Sequence, residues 1–337
     1  MLFCSAHLKK STMINKLIVL FVALLLSCKG ETQNIFPSKI IWDNAPHNAF
    51  TSMIVFDNSL YLAFREGNKH VDRNGGDDGI IRVLKSEDGD NWISIDTISI
   101  KGCDLRDPQL SISPQGLLTV NYVAATYHNG HPTSYHTYMT EWDSNRFSKP
   151  EKLNTPLSND WMWRLHWYKG RLYGFNYIES FDLLSSENGK EFELVKKFGL
   201  PGKLTETDFI QDGKRFLAII NRDNNSGLIG RGLIDKGIFK WFDTKIQFVG
   251  PMLFEIDPHT ILFLATVYVA PRKLEQRIYK IKGTSLKHLV TLPSSADSGY
   301  MGAAIFKNSL YVSYYSTVSS GKVAVYLSSI PLLYFVN

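Results

Sequence analysis

Near its C-terminal end the chain reads S-A-D-S-G-Y-M-G-A-A-I-F, with a lone tyrosine, Tyr300, between Gly299 and Gly302. A packed tyrosine needs no glycines beside it. One that meets a ligand at close range does, because glycine lets other groups approach the backbone. A phenol becomes a nucleophile once a base takes its proton. Carboxylates that move protons and guanidinium forks that grip anions are spread along the same chain. Glu206 stands in L-T-E-T-D-F ahead of a β-rich run ending at Arg222. Arg272 and Arg277 lie in V-Y-V-A-P-R-K-L-E-Q-R-I-Y-K-I. Arg65 closes Y-L-A-F-R, and the polar, glycine-rich loop after it carries His70, Asp72, Asp77 and Asp78. D-L-R-D-P supplies Arg106 and Asp107, and W-M-W-R-L-H-W sets Arg164 among Trp161, Trp163 and Trp167.

The elements that must position these groups repeat. Six stretches each join a turn signal to a β-rich run: D-N-S-L-Y-L-A-F (57–64), P-Q-G-L-L-T-V-N-Y (114–122), K-G-R-L-Y-G-F-N-Y (169–177), D-G-K-R-F-L-A-I-I (212–220), P-H-T-I-L-F-L-A-T (258–266) and K-N-S-L-Y-V-S-Y-Y (307–315). The turn residues suit tight hairpins, and the runs are rich in β-branched and aromatic residues. The stretches recur roughly every fifty residues, the length of a four-stranded propeller blade. No helical period and no Pro- or Ser-rich linker interrupts them. The spacing predicts an all-β, six-bladed β-propeller of four-stranded antiparallel blades, with five blades plus an extra hairpin as the alternative. S-E-D-G-D-N-W (86–92) fits an Asp-box turn, S-x-D-G-x-x-W, and S-E-N-G-K-E-F (186–192) is a weaker copy. The box is a structural turn, so Asp88 is not expected to be catalytic. In a propeller the innermost strands converge on the axis. Arg106, Asp107 and Arg164 can therefore bind substrate there, or cap a blade corner and pair inside the channel.

Lys9, Lys10 and Lys16 precede the apolar run Leu17 to Leu26, which Ser27-Cys28 follows. This reads as a signal segment over 1–27, too short for a membrane span. L-L-S-C resembles a lipobox, making Cys28 the lipidated residue, 28–37 a tether and 38–337 one propeller domain. A cell-envelope lipoprotein of the outer membrane, monomeric and anchored through its lipid, is the expectation. Removing 27 residues from 337 leaves 310, and 34 Lys+Arg against 32 acids. That balance leaves no nucleic-acid footprint. Cys103 is the one cysteine outside the signal and anchor, so no internal disulfide is expected. H-N-G-H-P-T-S-Y-H (128–136) reads as an insert between strands without an adjacent carboxylate, and neither metal nor cofactor is expected. There is no G-x-G-x-x-G after a strand, no phosphate loop and no G-x-S-x-G elbow.

These motifs together resemble the sialidase superfamily, over roughly 45–330, and in particular the sialidase-like lipoproteins of Bacteroidetes. Sialidases use a tyrosine nucleophile activated by a glutamate, an aspartate as acid/base, and three arginines that clamp the substrate carboxylate. The resemblance implies Tyr300 as nucleophile, Glu206 as its base and Arg222 and Arg277 as clamp residues, with Arg272 competing for the last place. It places the acid in the loop after Gly67, with Asp78 preferred to Asp72 and Asp77 and with His70 assisting. The chain departs from the family where an R-I-P-like motif would bring the first arginine. Here H-N-A-F-T-S-M (47–53) has none, and Arg65 is the substitute. The implied function is a retaining exo-glycosidase that releases sialic acid or a related ulosonic or uronic acid from a glycan. A non-catalytic carbohydrate-binding propeller and a propeller-type polysaccharide lyase are the alternatives.

Overall fold

The computed structural model describes residues 34–71 and 78–335, so the signal segment, Cys28, Asp72 and Asp77 lie outside the described residues. The architecture is an all-β propeller of four-stranded antiparallel blades. Strands over 104–152, 162–197, 204–243 and 248–292 pair with their sequence neighbours. The largest sheet combines two antiparallel sets through a single parallel bridge, Val323 to His47. One set runs 47–98. The other is Ser298–Phe306, Ser309–Thr317 and Val323–Pro331, finished at its outer edge by Ser38–Trp42. The start of the domain thus completes the sheet that its end begins, which ties the two ends of the domain together.

Each of the six repeated stretches supplies the turn between the first and second strands of a set. Asp57-Asn58, Lys169-Gly170 and Lys307-Asn308 have positive φ at both residues, as a two-residue hairpin with a primed turn requires. The apolar faces of neighbouring sets then pack on each other. One layer joins Tyr61, Ala63 and Val83 to Leu105, Val120 and Tyr122; another joins Phe175 and Leu183 to Phe209 and Ala218. The core is therefore a series of layers between sheets. Phe209 is fully buried in one of them, and truncation to alanine would cost about 3–5 kcal/mol.

The feature that decides the site lies in the first strand of every set. Pairing with the second strand breaks near the start of each, at Ala49/Ser52, Arg106/Gln109, Met162/Leu165, Leu204/Thr207, Val249/Met252 and Gly299/Gly302; the Phe248–Asp257 strand has a second break at Glu255/Asp257, beside its turn. At each break near a strand's start two residues face one on the partner strand, which defines a β-bulge. First strands also touch one another in order around the ring, and the last touches the first. The bulges therefore face a common centre.

The turn at 86–92 is closed by Asp88. Asp88 Oδ1 accepts the backbone N–H groups of Asp90 and Asn91, and Oδ2 accepts the Asn91 amide. Gly89 has φ +86 against the Tyr311 ring, where a Cβ would come within 2.6 Å. Asn188 takes the Asp88 place in the second copy, accepting the N–H groups of Lys190 and Glu191. Hydrogen bonding, led by the Asn91 N–H, holds the Asp88 carboxyl well below the usual carboxylate range. A depressed folded pKa adds stability above the unfolded value and loses it as pH falls through the folded one. Asp88→Ala should therefore lower Tm at pH 7, and the gap to wild type should narrow as pH falls below about 4. Thermal melts across pH 3–8 check this, and Asn188→Ala should show a gap without that acid limb.

Candidate active site

The bulges carry the side chains that sequence spacing singled out, together with several it did not. Their residues are Phe50-Thr51, Asp107-Pro108, Trp163-Arg164, Thr205-Glu206, Gly250-Pro251 and Tyr300-Met301. Phe50, Asp107, Gly250 and Tyr300 sit at φ 62, 50, 60 and 39. Left-handed backbone at a non-glycine residue costs on the order of 1–3 kcal/mol and redirects the side chain.

Tyr300 and Glu206 meet. The phenol donates to Glu206 Oε1. Glu206 Oε2 accepts Asn221 Nδ2 at 3.1 Å and the Gly250 N–H at 3.0 Å. Asn221 is the single residue opposite the Thr205-Glu206 bulge, so the bulge and its partner strand hold the carboxylate jointly. Burial pushes the Glu206 carboxyl up, opposed by these donors. Burial, followed by the nearby Glu206 and Asp107 charges, pushes the Tyr300 phenol well up. The resting pair is a neutral phenol donating to a carboxyl with raised proton affinity, the arrangement for transfer when the phenol oxygen attacks.

The glycines beside Tyr300 do not clear its ring. A Cβ on Gly302 would lie 2.6 Å from the Met53 backbone nitrogen, and one on Gly299 would lie 3.1 Å from the Tyr315 hydroxyl. Both admit neighbouring strands and rings. Gly250 makes room for Tyr300, since a Cβ there would fall 2.1 Å from Tyr300 Cδ1. The G-P pair at 250–251 and the D-P pair at 107–108, each inside a strand, are the sequence signals for these bulges.

Asp107 is 4% exposed and its Oδ1 has no hydrogen-bond partner among the described residues. Burial raises its carboxyl to about 6; Arg106 opposes the rise and Glu206 adds to it. The Trp161 indole N–H lowers it slightly without forming a bond of ordinary geometry. Arg106 lies 5.0 Å from the Phe50 ring centroid and 5.9 Å from that of Trp161, and donates to the His70 carbonyl and Asp104 Oδ2. Arg164 lies over Trp163 at 4.8 Å, with its Nε 3.7 Å from Asp208 Oδ2. Phe50 and Trp163 pack against Tyr300 with ring centroids 5.2 and 5.5 Å away. Of the three tryptophans at 161–167, Trp161 and Trp163 join this cluster, while Trp167 packs under the turn at Gly189.

Other expected site residues stand elsewhere. Asp78, expected as the acid, has a side chain 4% exposed that staples its loop. Its oxygens accept the N–H groups of Asn68 and Lys69, the Asn68 amide and Arg65 Nη2. Arg65, expected to replace the first clamp arginine, is fully buried, with Nε on Asp104 Oδ1 at 2.7 Å. Arg222 donates to Asp243 Oδ2 at 2.7 Å and to the Ser226 carbonyl. Arg277 donates to Glu275 Oε2 from both Nε and Nη2. Arg272 occupies a turn at φ 62. The reason is strand alternation: one residue's shift reverses the face. The neighbour Asn221 is the one turned to Glu206, and Gln276 is the one turned into the packing. Gln276 is fully buried, accepting from Thr266 Oγ1 and donating to Ser298 Oγ at the start of the Tyr300 strand. With Phe50 in the stretch that lacks its arginine, the three-arginine clamp is not assembled among the described residues.

No protein-family model matches the chain, and no curated protein sequence matches it. Solved structures do resemble it. A protein of unknown function from Dyadobacter fermentans gives a TM-score of 0.72 at 18% identity, covering 87% of this chain and 97% of that one. Trypanosoma rangeli sialidase in complex with 2,3-difluoro-KDN gives 0.64 at 9% identity, covering 87% of this chain and 59% of that one. The NanB sialidase from Streptococcus pneumoniae gives 0.62 at 8% identity, covering 89% and 71%. The chain thus has a sialidase-like propeller fold and spans about three fifths of the trypanosomal enzyme.

A raised folded pKa contributes stability below the unfolded value and loses it as pH rises through the folded one. Asp107→Asn keeps the shape and mimics the protonated form. It should stabilise the protein by about 1–3 kcal/mol above pH 6, with the gain vanishing towards pH 4. Denaturant melts at pH 4, 6 and 8 check this; a variant equally or less stable at pH 8 would refute the raised pKa.

Proposed function

We propose that the chain is a retaining glycoside hydrolase of sialidase-like type, built as a six-bladed propeller in which the largest sheet counts as two blades. The observation that carries this reading is the Tyr300–Glu206 hydrogen bond, formed between two bulges at the ring's centre. Tyr300 attacks the anomeric carbon and passes its proton to Glu206. Asp107, protonated up to about pH 6, gives its proton to the departing glycosidic oxygen. Water then attacks the tyrosyl-glycoside, Asp107 takes the water's proton, and Glu206 returns its proton to the phenolate. Asp107 replaces Asp78 as the acid in this scheme because the Asp78 oxygens are committed to the loop.

The substrate follows from charge. Arg65, Arg222 and Arg277 are each joined to a protein carboxylate, and Phe50 and Asn221 take the inward places. Arg106 and Arg164 do stand at the ring, but they face the protein carboxylates Asp104 and Asp208, and an uncharged amide and a phenyl ring do not offset an anion. The sugar in the cleaved position therefore has no carboxylate needing a three-arginine clamp, and sialosides are poor substrates. Phe50 and Trp163 are buried against Tyr300, so of the three aromatic side chains Trp161, 9% exposed, is the one a sugar ring can stack on. The glycan partner remains as the resemblance implies, and envelope anchoring through Cys28 is part of the same proposal.

The test is a panel of fluorogenic neutral glycosides and sialosides. Wild type should turn over one or more neutral glycosides well above any sialoside. Tyr300→Phe, still folded, should lose at least a hundredfold in kcat, and Glu206→Gln a comparable factor. Equal turnover in wild type and Tyr300→Phe would remove the tyrosine mechanism. Glycan binding that survives Tyr300→Phe, with no turnover in either protein, would favour the binding module. The missing clamp is the observation that keeps that second reading in view.

A further inference from the structure

Away from the Tyr300–Glu206 pair, three side chains from separate parts of the chain converge on one point. His47 opens the first strand of its sheet, His70 follows the second strand, and Asp297 immediately precedes Ser298–Phe306. His47 Nε2 lies 2.9 Å and His70 Nδ1 3.1 Å from the same oxygen, Asp297 Oδ2. The three donor atoms lie within 4.8 Å of one another. We propose that His47, His70 and Asp297 form a binding site for a first-row divalent metal ion of the zinc class.

The geometry suits such an ion. Bonds of about 2.1 Å to imidazole nitrogen and carboxylate oxygen put neighbouring donors roughly 3.0–3.4 Å apart for angles between octahedral and tetrahedral. Both His–Asp separations already fall in or beside that range. Two imidazoles and one carboxylate select zinc and its first-row neighbours over magnesium or calcium, which prefer all-oxygen shells. The frame is held independently of the ion. The Asp297 carbonyl accepts Thr317 Oγ1, the His70 carbonyl accepts Arg106 Nη1, and both imidazoles pack on Phe50. His47 Nδ1 has no hydrogen-bond partner among the described residues, so its Nε2 end makes the polar contact. The His70 side chain is 48% exposed, which leaves an open outward face where water or a substrate hydroxyl can complete the coordination.

The site lies one ring from the tyrosine. Phe50 is 5.2 Å from His70 on one side and 5.2 Å from Tyr300 on the other. A bound ion would clasp the loop after Gly67 to the strand carrying Tyr300 and bring positive charge to the rim where the family's first arginine is missing. The cluster is not visible in local sequence, because the three residues are separated by 23 and by 227 positions.

The proposal is tested on metal alone. The purified protein is stripped with a chelator, titrated with Co2+ and Zn2+, and read by visible absorption of bound cobalt and by metal content after gel filtration. One ion per chain is expected, with a rise in Tm on addition of Zn2+. His70→Ala, at a half-exposed position, should remain folded and lose at least tenfold in affinity. Asp297→Ala should do the same. Absence of stoichiometric binding at tens of micromolar metal would overturn the proposal. Binding unchanged in both variants would also overturn it and assign the metal to other histidines, such as the 128–136 group. Neither readout uses glycoside turnover, so failure here is separable from failure of the hydrolase reading.

Discussion

The site depends on one repeated backbone irregularity. A regular first strand would alternate its side chains between the two neighbouring apolar layers, leaving the ring's centre to backbone and small groups. A bulge inserts an extra residue and turns one side chain out of that alternation. Six sets, each bulged at the same height, give one ring of redirected side chains. Phe50, Asp107, Arg164, Glu206 and Tyr300 belong to it, and Gly250 provides the gap that the tyrosine ring fills. Left-handed backbone at Phe50, Asp107 and Tyr300 is unfavourable in isolation. It persists because the strands on both sides of each bulge are locked into a ladder and into an apolar layer.

The electrostatics follow from the same geometry. Side chains turned towards the axis leave water, so carboxyl and phenol proton affinities both rise. Isolated buried charges would be untenable, and the centre is arranged in pairs. Asp104 joins Arg65 to Arg106, Asp208 faces Arg164 and His166, and Glu206 takes the Tyr300 proton donor, Asn221 and the Gly250 N–H. Asp107 is the member left with an unfilled oxygen, and its carboxyl is the one lifted to about 6. A carboxyl that is buried, charged with difficulty and not fully hydrogen-bonded is well suited to handing over a proton.

The repeat, the hairpin turns and the box turn were legible in the sequence because each rests on local chemistry: glycine and asparagine at positive φ, and β-branched runs between them. Tyr300, Glu206, Arg106, Asp107 and Arg164 were legible as residues of interest. Their facing was not. Arg222 and Arg277 looked suitable by spacing, yet each lies one residue from a buried amide, Asn221 or Gln276, and a period of two makes that the opposite face. Only the position of the bulge fixes the phase, and a bulge leaves at most a faint trace, such as proline after Gly250 or after Asp107. Asp78 was ambiguous for another reason. A loop aspartate beside glycines serves a proton donor and a turn staple equally well, and its contacts with the backbone N–H groups of Asn68 and Lys69 are not legible in the sequence.

This architecture separates stability from specificity. The apolar layers lie between sheets, and the ring of bulges lies inside them, so a bulge side chain can change without altering a layer. Phe50 is such a position: the ladder on either side of it is intact, and its ring meets Tyr300, His70 and Arg106. The Tyr300–Glu206 pair is less free to vary, because it spans two sets and needs a third for the Gly250 N–H.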